Sequence, residues 1–433
     1  MLSEIRKNVR FNFVVNVTDG AFFGMALGFA SFVTIIPLFV NTLTDSKLLI
    51  GMIASIHLIG WQLPQILTAS HVSRMWRFKP MVIRLTVHER WPFLGLALVA
   101  LFSPTLGRDL TLVLTFLLAG IQAFGGGFAA TAWQSMVAKI IPPNQRGTFY
   151  GSQSAAANLL SSGAALAAGV ILAASGGSSE GFAVNFLIAG VLMFVSFCFI
   201  AMTREPATEP KSEVSLHGAA FRQHLVAILR QDGNYRLFIV GRMLIQAASI
   251  GSAFYTVFAV RRFEMDPATV GVLTGVLLLS ATIGNPLFGW LGDRWNRRVM
   301  FGIAGLLAGA SAILALLATS PNWFFPVFIL FGLSNGGAWT VANAMIVDFG
   351  AEEDRPYYIG LANTLVAPAT LFAPMLGGWL ADAVGFEATF VVAAAAGILT
   401  AVVALILMRN PMRHAEHSPR ETTETAPASS GAL

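Results

Sequence analysis

Long apolar runs separated by short polar turns make up most of the chain, and each run is long enough, at about 20 helical residues, to cross a hydrocarbon core. The runs predict twelve membrane-spanning helices, at about 11–40, 48–71, 80–104, 110–138, 147–175, 182–203, 236–260, 267–292, 299–319, 322–347, 356–384 and 386–408. The first run is too long for the core of a signal peptide and lacks a small-residue cleavage site, so we expect it to remain as the first helix.

Positive charges are distributed unevenly between alternate loops. The N-terminus, the even-numbered loops and the tail carry most of the 27 Lys and Arg residues. The odd-numbered loops carry only Lys47, Arg108, Arg261 and Arg262. Because positively charged loops stay on the cytoplasmic side, we expect a multi-pass protein of the cell (inner) membrane with both termini cytoplasmic.

Composition narrows the class of protein further. Hydrophobic residues make up 55% of the chain and charged residues only 11%, which excludes an ordinary soluble domain. The net charge of +5 could indicate nucleic-acid binding, but the basic residues are scattered through short loops, so no nucleic-acid partner is expected. The single cysteine, Cys198, excludes a disulfide framework and a cysteine-based metal site. We expect no cofactor and no metal.

One turn, between the eighth and ninth spans, combines glycines with dense charge. Residues 289–298 read G-W-L-G-D-R-W-N-R-R. Gly289 and Gly292 allow two helix ends to approach, Asp293 can face the positive N-terminus of a neighbouring helix, and the arginines hold the turn on one side of the membrane. The spacing G-x-L-x-D-R-x-x-R-R resembles the cytoplasmic signature loop of the major facilitator superfamily.

An internal repeat supports the same resemblance. Shifting the chain by 209 residues aligns Arg146 with Arg355, and shifting it by 220 aligns Arg74 with Arg294 and Arg77 with Arg297. The resemblance covers about residues 11–408. It implies an all-α membrane protein with twelve transmembrane helices in two pseudo-symmetric six-helix bundles.

The implied domains are a first bundle at 1–203, a cytoplasmic linker at 204–235, a second bundle at 236–408 and a disordered tail at 409–433. In the linker, Phe221, Leu225, Ile228 and Leu229 recur at helical spacing, which predicts an interfacial helix. The alternative is a disordered linker with chance periodicity.

Polar groups inside the spans are the candidates for chemistry, because a charge there is costly and normally faces the bundle interior or a wet cavity. Asn16 and Asp19 share a face of the first helix, and Asp19 lies roughly 12 Å into the span at 1.5 Å per residue. Arg242 enters the seventh span to a similar depth. We interpret Asp19 as the group that takes up a coupling proton and Arg242 as the charge that controls it. The alternative is a carboxylate with a structural role only.

The resemblance also implies that helices one, four, seven and ten line a central cavity. The solute contacts it implies are Asn16, Gln122, Trp133, Gln246, Asn335, Trp339 and Asn343. Each amide could instead only hydrogen-bond between helices.

A cytoplasmic gate is predicted from the signature turn, its first-half counterpart and the loops that face them. Its residues are Gly289, Gly292, Asp293, Arg294, Arg297, Arg74, Arg77, Arg146 and Arg355. The first half has Ser73 where the second half has Asp293, so we expect an asymmetric gate with its acidic latch on the second half only.

The third span carries unusual charge. Because the family's third helix is peripheral, we interpret Glu89 and Arg90 as a structural pair. His88-Glu89 lacks the second histidine of an H-E-x-x-H zinc site, since that position is Pro92. His57 has no second histidine at metal spacing and is interpreted as an interior residue. No enzyme is expected.

These features together predict a monomeric secondary active transporter that moves a small organic solute by alternating access, with proton coupling. Proton-driven export of drugs or metabolites is one alternative. A non-transporting membrane sensor or assembly protein on the same fold is the other.

Overall fold

The structure is a computed structural model that describes residues 2–208, 216–265 and 267–409, and those residues form helices and no strand. The N-terminal half contains α1 Leu2–Phe29, α2 Ile35–Asn41, α3 Lys47–Gln62, α4 Gln65–Val72, α5 Lys79–Arg90, α6 Pro92–Leu101, α7 Ser103–Leu106, α8 Arg108–Ile140, α9 Arg146–Ala174 and α10 Ser179–Ala201. After the linker helix α11 Gly218–Gln231, the C-terminal half contains α12 Gly233–Ala248, α13 Ser252–Phe263, α14 Pro267–Arg294, α15 Arg297–Leu317, α16 Phe324–Ile346, α17 Arg355–Ala383 and α18 Phe386–Val402. The predicted tail beyond Arg409 and residues 209–215 of the linker lie outside the described residues.

Ten helical segments among the described residues are long and apolar enough to cross a membrane. The two other predicted spans correspond to α1 and to the α5–α6 pair. Both carry charge within the span, Asp19 in α1 and Glu89 with Arg90 in α5, which lowers their apolar character.

Several predicted spans are broken into two helices. The second span breaks at Pro64 and the third at Pro92, because proline has no N–H to donate to the preceding turn. The seventh span breaks at the 3₁₀ turn Ser249–Gly251, between α12 and α13.

Each half has its own packing. In the first half α1 packs against α9 and α10, and α8 against α3 and α5. In the second half α16 packs against α14 and α15, and α18 against α12 and α15. The halves meet mainly where α9 packs against α14 and α4 packs against α17. Because the two halves contact each other mainly through these two helix pairs, a binding site can lie in the space between them.

The linker helix α11 packs onto protein instead of presenting its apolar face to lipid. Ile228 is buried, and Phe221, Leu225 and Leu229 pack against the core of the C-terminal half. The backbone carbonyl of Leu216, just before α11, accepts a hydrogen bond from Ser70 Oγ of α4 at 2.9 Å. The linker therefore contacts both halves at one end of the molecule.

Candidate functional site: a central cavity and its closed end

A cavity of about 510 Å³ lies between the two halves. The first half contributes residues of α1, α3, α5, α8, α9 and α10, and the second half residues of α12, α16 and α17. Its charged lining residues are Asp19, Glu89, Arg90 and Arg242. The volume falls in the range of about 300–1,000 Å³ that is usual for small-molecule sites.

An ion-paired cluster occupies the cavity wall of the first half. Arg90 Nη2 lies 3.1 Å from Asp19 Oδ1, and its Nη1 lies 3.5 Å from Glu89 Oε2. Ser196 Oγ donates a second hydrogen bond to Asp19 Oδ1, at 2.6 Å. All three charged side chains are buried. Protonation of either carboxylate therefore removes one of the two negative charges that neutralise Arg90.

In this conformation the cluster departs from two predictions, although the expected pair of Glu89 and Arg90 is present. Asp19 pairs with Arg90 and not with Arg242, and Glu89 and Arg90 line the cavity although the third helix was expected at the periphery. The physical reason is a close approach of α5 to α8. A Cβ on Gly126 would lie 2.5 Å from Glu89 Oε1, and one on Gly125 would lie 2.8 Å from the Glu89 backbone nitrogen. Without side chains at these positions, α8 leaves room for the charged end of α5.

Arg242 lines the opposite wall, on α12. Its Nη1 donates to Asn363 Oδ1 at 2.8 Å, and Asn363 Nδ2 donates across the halves to Gln65 Oε1 at 2.7 Å. Nearby, Gln246 Nε2 donates to Thr370 Oγ1 at 2.8 Å. This wall therefore combines one cation with neutral amide and hydroxyl groups.

The cavity includes five of the seven predicted solute contacts: Trp133, Gln246, Asn335, Trp339 and Asn343. Asn16 is wrong as a wall residue, because it is buried behind the wall and donates to Thr203 Oγ1 at 3.1 Å. Gln122 is also behind the wall, where its Oε1 meets His57 Nδ1 at 3.1 Å, and it is the histidine that faces the cavity.

Two aromatic wall residues were missed by the sequence analysis. Trp61 lies 5.9 Å from Trp339, measured between ring centroids, and the pair joins the two halves. Tyr150 also lines the cavity, and its buried hydroxyl has no hydrogen-bond partner among the described residues. An aromatic residue in an apolar span gives no sequence signal that separates a cavity wall from a lipid-facing surface.

The cavity is closed at the end of the molecule that carries the arginine-rich loops. Asp293 lies at the N-terminus of α9, where Gly147 N donates to its Oδ1 at 2.9 Å and Thr148 N donates to its Oδ2 at 2.6 Å. Thr148 Oγ1 donates to the same Oδ2 at 2.8 Å. These are otherwise unpaired donors of a helix N-terminus, which favours an anion.

Gly289 makes this contact possible. A Cβ on Gly289 would lie 2.1 Å from the carbonyl oxygen of Gly147, so α9 and α14 touch backbone to backbone. Gly292 lies one turn further on, where a Cβ would meet Arg297 Cγ at 3.3 Å.

A buried ionic network lies beside Asp293. Arg297 is 2% exposed, pairs with Asp293 at 2.6 Å and also contacts Asp348. Arg146, from the other half, pairs with Asp348 at 2.9 Å. Asp348 therefore joins arginines of both halves, and it was not among the residues predicted from the sequence. The internal repeat contained a signal for this residue. The shift of 209 residues aligns Asp348 with Lys139, so equivalent positions of the two halves carry opposite charges.

The other predicted gate arginines contribute less to the contacts between the two halves. Arg294 is exposed and stacks on Trp290, with 4.5 Å from its Cζ to the ring centroid. Arg77 is exposed, Arg74 donates to Ser70 O near the end of α4, and Arg355 donates to Val347 O within its own half. None of these four forms an ion pair between the halves among the described residues.

The first-half counterpart of the latch is a neutral contact. Ser73 Oγ donates to Tyr357 OH at 3.3 Å, and a Cβ on Gly360 would lie 2.8 Å from Ile66 Cα. The linker helix covers this contact, because His224 stacks edge-on against Tyr357 and meets Asp354 at 3.1 Å. The two sides of the closure thus differ in chemistry, one with a carboxylate and the other with hydroxyls.

The profile of the Major Facilitator Superfamily matches residues 237–432. Over nearly its whole length the chain also superposes on the Escherichia coli fucose:proton symporter FucP, with a TM-score of 0.76 at 14% identity, covering 93% of this chain and 100% of that one. Residues 237–432 are thus similar to the major facilitator superfamily, and the chain shares the fold of FucP. The predicted fold class is confirmed, and the chain is a multi-pass membrane protein.

Curated relatives match over shorter segments. Multidrug resistance protein MdtG of Escherichia coli O6:K15:H31 (strain 536 / UPEC) is 31% identical over 139 residues, 32% of this chain and 34% of that protein. Multidrug resistance protein 1 of Bacillus subtilis (strain 168) is 25% identical over 154 residues, 36% of this chain and 39% of that protein. The matches thus span less than half the length of either relative.

Proposed function

We propose that this protein is a secondary active transporter of the major facilitator superfamily that moves a small organic solute through the central cavity, coupled to protons at the Asp19–Arg90–Glu89 cluster. The observation that carries the proposal is the cavity itself. It lies between two bundles, is closed at one end by contacts between them, and holds ionisable groups in its wall. Rocking of the halves would expose such a site to either side of the membrane in turn.

The closed end is assigned to the cytoplasm. The loops there carry the positive charges that the positive-inside rule places in the cytoplasm, including Arg146, Arg294 and Arg297. Both termini and the linker lie on that side in this assignment. The structure then represents a state closed to the cytoplasm, and the residues predicted as gating act by holding α9 and α14 together.

Coupling follows from the balance of charge around Arg90. With both carboxylates ionised, Arg90 shares its charge between Asp19 and Glu89; with one protonated, it pairs with the other alone. If the two conformations favour different partners, proton binding and the conformational equilibrium bias each other by linkage. Arg90 therefore takes the controlling role that the sequence analysis gave to Arg242.

Reconstituted vesicles test this proposal. Wild-type protein should accumulate members of a panel of labelled organic solutes when a pH gradient is imposed, and a reversed gradient should drive them out. Asp19→Asn and Glu89→Gln should lose gradient-driven accumulation while retaining exchange of solute at equal pH. Asp109→Asn, an exposed carboxylate at the start of α8, is the matched control and should behave as wild type.

Two outcomes would contradict the proposal. Transport of no solute in either direction would favour a sensor or assembly role on the same fold. Accumulation in both Asp19→Asn and Glu89→Gln at the wild-type level would remove the cluster from the coupling mechanism.

A further inference from the structure

Arg242 differs from the other buried arginines of the molecule. Arg90, Arg146 and Arg297 each lie within 3.1 Å of a carboxylate oxygen. Arg242 is 9% exposed and faces the cavity, yet no carboxylate among the described residues lies within ion-pair distance of it. A buried charge without a counter-charge is costly, and inside a membrane protein it marks a place where a ligand supplies the missing charge.

The contacts that Arg242 makes leave part of its guanidinium available to donate further hydrogen bonds. Nη1 donates to Asn363, and the group lies 5.8 Å from the ring centroid of Phe238. Tyr235, on the same helix, donates its hydroxyl to Tyr358 O and so is engaged elsewhere. The guanidinium fork is the side chain best suited to bidentate binding of an oxyanion.

The other residues of the cavity wall indicate which chemical groups the solute carries besides its anionic group. Gln246 and Asn335 are neutral polar neighbours, and Trp61 and Trp339 supply large aromatic surfaces from both halves. Trp339 is 48% exposed although it lies deep in the molecule, because its ring faces the cavity. Aromatic faces of this kind bind an apolar body.

We propose that the transported solute is an organic monoanion, with its oxyanion group held by Arg242 and its apolar body against Trp61 and Trp339. This rests on the proposed transport function and names the substrate class of the same cavity. A neutral or cationic solute would leave Arg242 without a counter-charge in direct contact.

Charge balance then links the anion to the proton. The titratable groups of the cavity wall are Asp19, Glu89, Arg90, Arg242, His57 and Tyr150. With histidine and tyrosine neutral, the two arginines balance the two carboxylates, so a bound monoanion leaves one excess negative charge. One proton on the carboxylate cluster restores neutrality, and by reciprocity the proton and the anion strengthen each other's binding. The expected mode is therefore movement of proton and anion in the same direction.

Calorimetric titration of the purified full chain in lipid nanodiscs tests the inference without requiring transport. The probes are benzoate, benzamide and benzylammonium, which share a ring and differ in charge. Benzoate should bind in preference to the other two, and more tightly at lower pH within the range where it stays ionised. Arg242→Gln should weaken benzoate binding about 10- to 100-fold, the loss expected for a hydrogen-bonded charge.

Three variants separate a binding role from a structural one. Arg84→Gln removes an exposed arginine of α5 outside the cavity and should leave benzoate affinity unchanged. Arg242→Lys should retain part of the affinity. Asn363→Asp keeps Arg242 but places a carboxylate beside it, so it should weaken benzoate binding even where Arg242→Gln does not fold.

Equal or tighter binding of benzamide or benzylammonium would overturn the inference, as would absence of benzoate binding at millimolar concentration or wild-type affinity in Asn363→Asp. Those results concern the solute class alone. Vesicles that bind benzoate but transport nothing would instead contradict the proposed function and leave the anion site standing.

Discussion

Gly289→Ala should disrupt the closed end of the cavity. The new Cβ would lie 2.1 Å from the carbonyl oxygen of Gly147 and 2.7 Å from its carbonyl carbon, and both are backbone atoms that no rotamer change can move. Carbon contacts need about 3.5 Å, so α9 and α14 would have to separate by roughly 1 Å. Overpacking of this kind costs about 1–3 kcal/mol, which shifts the equilibrium away from the closed state about 5- to 150-fold.

Distances between spin labels measure that shift. Labels on Asn144→Cys and Ala351→Cys would report separation of the halves, since both positions are exposed and lie in loops of different halves at the closed end. The natural cysteine is first removed as Cys198→Ser. Gly289→Ala should add or enlarge a population at longer distance.

Gly275→Ala is the matched control, because it lies in the same helix and a Cβ there meets nothing within 4 Å. Alanine favours a helix over glycine by up to about 1 kcal/mol, so the control should not lose stability. A distance distribution for Gly289→Ala identical to that of Gly275→Ala would refute the backbone contact as the basis of closure.

Three further substitutions probe the same end of the molecule. Asp293→Asn removes a charged acceptor worth about 1.5–3 kcal/mol per hydrogen bond, so the longer-distance population should rise tenfold or more; an unchanged distribution would contradict the latch. Tyr357→Phe removes one neutral hydrogen bond of about 0.5–1.5 kcal/mol and should give a smaller shift in that measurement. Glu205→Gln leaves Lys139 buried without its partner at 3.0 Å, which costs about 3–5 kcal/mol. It should lower the thermal unfolding midpoint in detergent, and a midpoint equal to wild type would show that the pair is not stabilising.

The membrane-spanning helices could be predicted because the thickness of the membrane sets the length of each apolar run and its two sides set the charge of the loops. Neither depends on which helices contact each other. Their breaks at Pro64 and Pro92 were not predicted, and proline alone does not mark a break, because Pro286 lies inside the continuous helix α14. The contact of Asp293 with the N-terminus of α9 could be anticipated because a glycine–carboxylate turn and a helix start are both local features.

The partner of Asp19 could not be read in the same way. Depth in the membrane and pseudo-symmetry favoured Arg242, but ion pairing depends on which helices touch, and α5 approaches α8 through Gly125 and Gly126. The three consecutive glycines at 125–127 were the available signal for that approach. Asn16 and Gln122 were misplaced for a related reason, because a helix face that is polar does not show whether it meets a cavity or a neighbouring helix.

Proton movement driven by solute is the most direct test of the central claim, which is that one cavity binds both the solute and the coupling proton. Vesicles containing the wild-type protein and a trapped pH-sensitive dye, with no pH gradient imposed, receive a transported solute on one side. The internal pH should change as the solute enters, and this change should persist in Asp109→Asn and be lost in Asp19→Asn. Solute entry by wild type with no pH change, or a pH change of wild-type size in both Asp19→Asn and Glu89→Gln, would contradict the central claim.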